Sequence, residues 1–297
     1  TVTRMAVIYR WTSLFRAYDL SLKSNRVILL LSALGSALGF ALGLFGAPDV
    51  WPALGRAVVG GLTPFAAAAI AKELDPDHML SAVLAAALAL PLVWLALPQS
   101  LPALLWLVLL LRFVNRSTGL APKVTDALSL LLLAGWLLWR DDQLFPGLRF
   151  ASPLFGVITG AVFVLDARLS NGRRAHAVVG GTALVGALVY WITQSQRFPP
   201  LPHDTWLGVV LLATSIALIG VILSCTVVLM PGDATGRPLD SSRFQAAQIV
   251  ALGIGLSFAS WHGNAGAAIF VALWAALVGA TIIHWLIIGA RRSPVSL

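Results

Sequence analysis

The side chains able to do chemistry are gathered in four short polar stretches of an otherwise apolar chain. Residues 72–78 read KELDPDH, 112–126 read RFVNRSTGLAPKVTD, 166–176 read DARLSNGRRAH and 231–243 read PGDATGRPLDSSR. Each mixes carboxylates with basic and small polar residues. Carboxylates are hard oxygen ligands for Mg²⁺, and Arg and Lys supply charge-assisted hydrogen bonds to phosphate oxygens. The pattern suits the headgroup of a phosphorylated lipid or an isoprenoid diphosphate whose tail lies between helices. The candidate site for such an anionic headgroup consists of Arg112, Asn115, Arg116, Lys123 and Asp126 on one loop, with Asp166, Arg168, Arg173 and Arg174 two spans later. Lys72, Glu73, Asp75, Asp77 and His78, and Asp233, Arg237, Asp240 and Arg243, converge with them if the helices pair as hairpins. The same residues also make good solvated turns, because Asp75-Pro76 and Ser117-Thr118-Gly119 are turn and cap chemistry without any ligand. No catalytic residue and no metal ligand is assigned.

The layout resembles that of the intramembrane aromatic prenyltransferases, helix bundles whose cytoplasmic loops carry two aspartate-rich motifs holding Mg²⁺-diphosphate. Glu73, Asp75 and Asp77 stand where the first motif would fall and Asp166 where the second would. The chain departs from that family in lacking the Asn-Asp pair of the first motif and in its number of spans. His176 and His284 could face each other across a bundle as haem ligands, but a satisfied or interfacial role is the ordinary one for such histidines. Cys225 stands alone within an apolar run, which excludes an intrachain disulfide and argues against a thiolate zinc site. No dinucleotide fingerprint, phosphate loop, zinc-helix motif or nucleophile elbow stands in the required context.

The elements that must position these loops are written in the composition. Of 297 residues, 59% are hydrophobic and 11% are charged, against roughly 25% charged in soluble domains, and the mean hydropathy is +0.88. A bilayer core takes about 20 apolar residues per helix. The sequence therefore predicts an all-α, polytopic transmembrane bundle of about ten spans built from helical hairpins. The spans are expected near 27–46, 54–71, 80–97, 101–114, 125–139, 152–168, 175–193, 206–230, 245–261 and 265–290. With the N-terminus inside, sixteen of the twenty Lys and Arg fall on one side and only Arg56, Arg140, Arg149 and Arg197 on the other. That bias places both termini in the cytoplasm of a multi-pass membrane protein. It also accounts for the net charge of +8 without nucleic acid, for which no basic stripe with interleaved aromatics is present.

Residues 1–26 carry five basic residues among Trp11, Leu14, Phe15 and Tyr18 at helical spacing, which predicts a cytoplasmic interfacial amphipathic helix. Residues 27–290 form the bundle and 291–297 a cytoplasmic tail. Gly35, Gly39 and Gly43 on the first span, with Gly156 and Gly160 on the sixth, predict close helix packing. Tryptophans near span ends read as interfacial anchors. Three functions remain open from the residues alone: binding or transport of a lipid or small amphiphile through a cytoplasmic polar mouth, an accessory subunit docked to protein partners in a larger membrane complex, and an Mg²⁺-dependent enzyme acting on a phosphorylated isoprenoid or lipid.

Overall fold

The computed structural model describes residues 9–15, 18–46, 50–94, 100–140, 152–193, 205–224 and 227–292. Residues 1–8, the stretches containing Arg149 and Arg197, Cys225, and the tail from residue 293 lie outside the described residues. Among the described residues the chain is all-helical: a short helical turn at 9–11 precedes ten longer helices, and there is no strand. In order these are α1 (Lys23–Gly46), α2 (Val50–Leu74), α3 (Met79–Trp94), α4 (Leu101–Asn115), α5 (Val124–Trp139), α6 (Ser152–Arg168), α7 (Arg174–Thr193), α8 (Thr205–Ser224), α9 (Ser241–Ile269) and α10 (Val271–Arg292). Four of them, α1, α2, α7 and α9, are long and apolar enough to cross a membrane.

Helix boundaries follow local chemistry. Ser100 caps α4 by accepting from the Ala103 N–H at 3.3 Å, and Pro102 occupies the first turn, where its missing N–H costs nothing. At the other end Arg116 takes a left-handed conformation (φ 51°) and its N–H closes on the Arg112 carbonyl. Asp240 caps α9 through the Ser242 N–H at 2.9 Å. Gly263 (φ 57°, ψ −135°) breaks α9 between the two runs that the sequence separates at 262–264.

α4 is the central helix, packed against α2, α5, α6 and α9. It buries Trp106, Leu107, Leu110, Leu111, Phe113 and Val114. Trp106 sets its ring edge-on against Phe155 and donates its indole N–H to Thr159 Oγ1 at 2.9 Å, so a large apolar surface is buried with no orphaned donor. By contrast, α1 and α7 bury little of their length, and Leu30, Leu34, Val178, Val185 and Ile192 point outward. Water would penalise such faces, whereas hydrocarbon does not.

The expected glycine ridge is where α1 and α2 meet. A Cβ on Gly35 would run into the Gly60 carbonyl and the Pro64 ring, and one on Gly39 into the Arg56 carbonyl. Pro64 has no N–H to give Gly60, so the Gly60 carbonyl, left without its helical partner, is the group against which Gly35 packs.

Two expectations are corrected. The amphipathic helix expected across residues 1–26 is not seen: among the described residues before α1 starts at Lys23 only 9–11 are helical, and 12–15 and 18–22 form an irregular strap. The cause is competition for backbone groups: the carbonyls of Tyr9, Trp11, Ser13 and Leu14 are taken by Lys123, Thr125, Thr118 and Arg112 side chains, so no helix is needed to satisfy them. Its apolar residues do not share a face either, since Leu14 is buried, Trp11 is exposed and Tyr18 packs on Phe65. The eighth span, expected to reach residue 230, ends as a helix at Ser224. The Leu229 and Met230 N–H groups are instead held by the Asp77 carboxylate at 2.8–3.1 Å.

Candidate functional site

The starts of α1, α3, α5, α7 and α9 and the ends of α2, α4, α6 and α8 meet at one end of the bundle, where the polar loops interlock around three buried carboxylates. Asp166, 0% exposed in the last turn of α6, accepts from Arg116 Nη2 at 3.0 Å, Arg243 Nη1 at 2.7 Å and His176 Nδ1 at 2.7 Å. Phe113 and Phe163 lie against the His176 ring with centroids 5.1 and 5.6 Å away. Arg243 also donates to the Val114 carbonyl at 2.9 Å and to the Ser170 carbonyl at 3.1 Å, and Arg116 donates to the Asn171 carbonyl at 3.1 Å. Three helix ends and a loop are thereby tied to one carboxylate. Burial holds the Arg116 guanidinium below its ordinary pKa; Asp166 opposes that shift and the nearby Arg243 and Arg173 charges add to it.

Glu73, equally buried at the end of α2, receives Arg112 Nε at 2.8 Å and Asn115 Nδ2 at 3.0 Å. The same amide nitrogen donates to the Glu73 carbonyl at 2.9 Å, and Gln248 closes the neighbouring Leu74 carbonyl at 2.7 Å. Side chains thus satisfy helix-end carbonyls that the helix itself leaves open. Asp126, in the first turn of α5, collects Thr12 Oγ1 at 2.6 Å, Ser13 Oγ at 2.6 Å, the Ser13 N–H at 3.0 Å and the Lys123 N–H at 2.8 Å. It is the latch that holds the N-terminal strap in the groove between loops. The loops also pair by backbone, with the Ala234 N–H on the Thr118 carbonyl at 3.0 Å. Two glycines permit that approach, since Gly119 adopts a left-handed φ of 79° and a Cβ on Gly232 would run into the Gly119 backbone. At the edge of the network, hydrogen bonds from Ser170, Ser242 and the Ser242 N–H, with Arg243 nearby, outweigh the upward pull of burial and hold Asp240 below its ordinary pKa.

The residues expected to form an anionic-headgroup site divide into two groups. Arg112, Asn115, Arg116, Lys123, Asp126 and Asp166 do converge, and the partners described for each belong to the protein itself. Arg168, Arg173 and Arg174 are exposed around the rim. A small cavity of about 150 Å³ lies beside this belt between Tyr18, Ile28, Phe65, Lys72, Glu73 and Arg112, too small for a whole amphiphile when ligand pockets span roughly 300–1,000 Å³. Among the described residues no three His, Cys, Asp or Glu side chains lie close enough to hold a metal ion. His176 and His284, weighed above as a pair, belong to separate clusters.

A larger cavity, about 810 Å³, opens at the same end between the α2–α3 loop, the end of α8, residues 227–230 and α10. Its apolar wall is made by Met79, Val227, Val228 and Ile287. Its polar side holds two pairs: His78 Nδ1 on Asp75 Oδ1 at 2.8 Å, with Ser81 Oγ on the other oxygen of Asp75, and His284 Nε2 on Ser224 Oγ at 2.6 Å. Both pairs line this one cavity. The sequence marks Asp75, Asp77 and His78 as one polar loop and His284 as a rare ionisable residue within an apolar run. What it does not carry is their meeting, because Ser224 and residues 227–230 read as the continuing eighth span. No protein-family model matches this chain, and no curated protein or solved structure is similar to it.

Proposed function

We propose that this chain is a multi-pass membrane protein of about ten spans that binds or transports a lipid or small amphiphile at the polar end of its bundle. The charge bias of the sequence assigns that end, and both termini, to the cytoplasm. The observation that carries the reading is the cavity of about 810 Å³, whose apolar wall and polar pairs stand side by side. Its volume falls within the range of ligand pockets, and a concave apolar surface with a few convergent polar groups is the usual form of a binding site. The neighbouring belt supports the reading indirectly. Loops tied through Asp166, Glu73 and Asp126 give the cavity a rigid rim, and precise sites need such support. The exposed Arg168, Arg173 and Arg174 suit an approach to anionic headgroups at the membrane surface.

The test is extraction into nanodiscs that retain native lipid, followed by native mass spectrometry of wild type and Ile287→Trp, in which the added ring fills the cavity from its apolar wall. The reading expects an amphiphile enriched over bulk lipid in wild type and depleted at least tenfold in the variant. Equal retention in both would remove the cavity as the binding site.

A further inference from the structure

We infer that the large cavity takes a cationic amphiphile, an apolar chain ending in a protonated amine, in preference to a phosphate- or carboxylate-bearing one. This rests on the proposal that the cavity is a ligand site and adds the chemical class of its ligand. Charge and acceptor capacity around the cavity set this preference. His284 Nε2 pairs with Ser224 Oγ at 2.6 Å, and the same hydroxyl lies 2.8 Å from the Gly220 carbonyl and 3.0 Å from that of Val221. His78 Nδ1 faces the Asp75 carboxylate and donates to it at 2.8 Å. Asp75 receives one donor on each oxygen, from His78 and from Ser81, and a carboxylate oxygen takes two.

The Asp75 carboxylate thus has room for a further donor on each oxygen. The formal charge agrees, since the lining contains the carboxylates of Asp75 and Asp77 and, among its described residues, no Lys or Arg. Asp77 is held by the Leu229 and Met230 N–H groups and shapes the wall, while Asp75, held by His78 and Ser81, is the other carboxylate of the lining. An anionic head would meet the negative charge of two carboxylates with no Lys or Arg among the described lining residues to offset it. A bare metal ion is disfavoured by the absence of three close ligands among the described residues. A protonated amine supplies three N–H donors and one positive charge, and its chain would lie along Met79, Val227, Val228 and Ile287.

The experiment uses the full-length protein in zwitterionic-lipid nanodiscs and three probes sharing one dodecyl chain with a photoactivatable diazirine: a primary amine, a trimethylammonium and a phosphate. Labelled positions are mapped by peptide mass spectrometry. The amine probe is expected to label residues 227–230 or 287 at least tenfold more than the phosphate probe, with the trimethylammonium between them because it has charge but no N–H. Asp75→Asn is expected to lower amine labelling at least tenfold at an unchanged unfolding midpoint, and the head-group series on wild type stands even if that variant does not fold. Equal or stronger labelling of this wall by the phosphate probe overturns the amine assignment and leaves an amphiphile site standing. Failure of all three probes to label it overturns the site itself, and this inference with it.

Discussion

Replacing Asp166 by Asn removes one charge at constant shape and tests whether the polar end is an integral part of the fold. The carboxylate is 0% exposed and accepts from Arg116, Arg243 and His176 at 2.7–3.0 Å. Asparagine keeps one carbonyl acceptor but strands two guanidinium ions whose side chains are only 9% and 3% exposed. Breaking a buried ion pair from one side costs about 3–5 kcal/mol. Arg243 retains the Val114 and Ser170 carbonyls and Arg116 retains that of Asn171, which keeps the loss near the middle of that range, about 4 kcal/mol. The unfolding equilibrium should then move by about three orders of magnitude. Arg168→Ala, two residues further along but exposed, should change stability by at most about 1 kcal/mol. Adding Arg243→Met to Asp166→Asn should recover part of the loss by removing one stranded cation. Reversible unfolding in mixed micelles, followed by tryptophan fluorescence, measures all three. A loss for Asp166→Asn within about 1 kcal/mol of that for Arg168→Ala would refute a dry, charge-paired belt.

Three other outcomes are expected. Asp126→Ala removes the acceptor for four donors, two of them hydroxyls of the strap; limited proteolysis within residues 9–22 should accelerate at least tenfold while the helical circular dichroism persists, and unchanged cleavage would mean the strap is held elsewhere. Asp240 has a folded pKa below its ordinary value, so its contribution is complete above the unfolded value of about 3.9 and is lost as the pH falls through the lower, folded one. The acid limb of a stability-against-pH curve should accordingly flatten in Asp240→Asn, and superimposable limbs would contradict this. Reporter fusions after residues 118, 172 and 237 should read cytoplasmic and those after 145 and 200 the opposite side, with two on the wrong side sufficient to reject the topology.

The helices were legible because apolar runs long enough for several turns are bounded by strong local signals. Asp75-Pro76, Ser117-Thr118-Gly119 and Ser170-Asn171-Gly172 each stand where a helix pair turns, and the ends of α4, α5 and α6 fall within a residue of their expected positions. The strap was not legible. Trp11, Leu14, Phe15 and Tyr18 have helical spacing, but the groups that decide their conformation, Thr118, Lys123, Thr125 and Asp126, lie more than a hundred residues away in sequence. The gathering of loops at one end followed from hairpin topology, whereas the state of each cation did not. Arg112 and Arg116 sit at the close of the central helix, where neighbouring helix ends bring carboxylates to them, while Arg168, Arg173 and Arg174 are exposed. The large cavity escaped for a related reason: Asp77 captures the backbone of residues 229–230 and turns an apolar run that reads as helix into a wall.

An electron cryomicroscopy map of the protein extracted with its native lipids would show whether the polar end of this bundle holds an amphiphile. Elongated density is expected in the cavity between Ile287 and residues 227–230, its head within hydrogen-bonding distance of Asp75. A well-ordered map in which that space holds only water, or is closed by the side chains around it, would contradict the account.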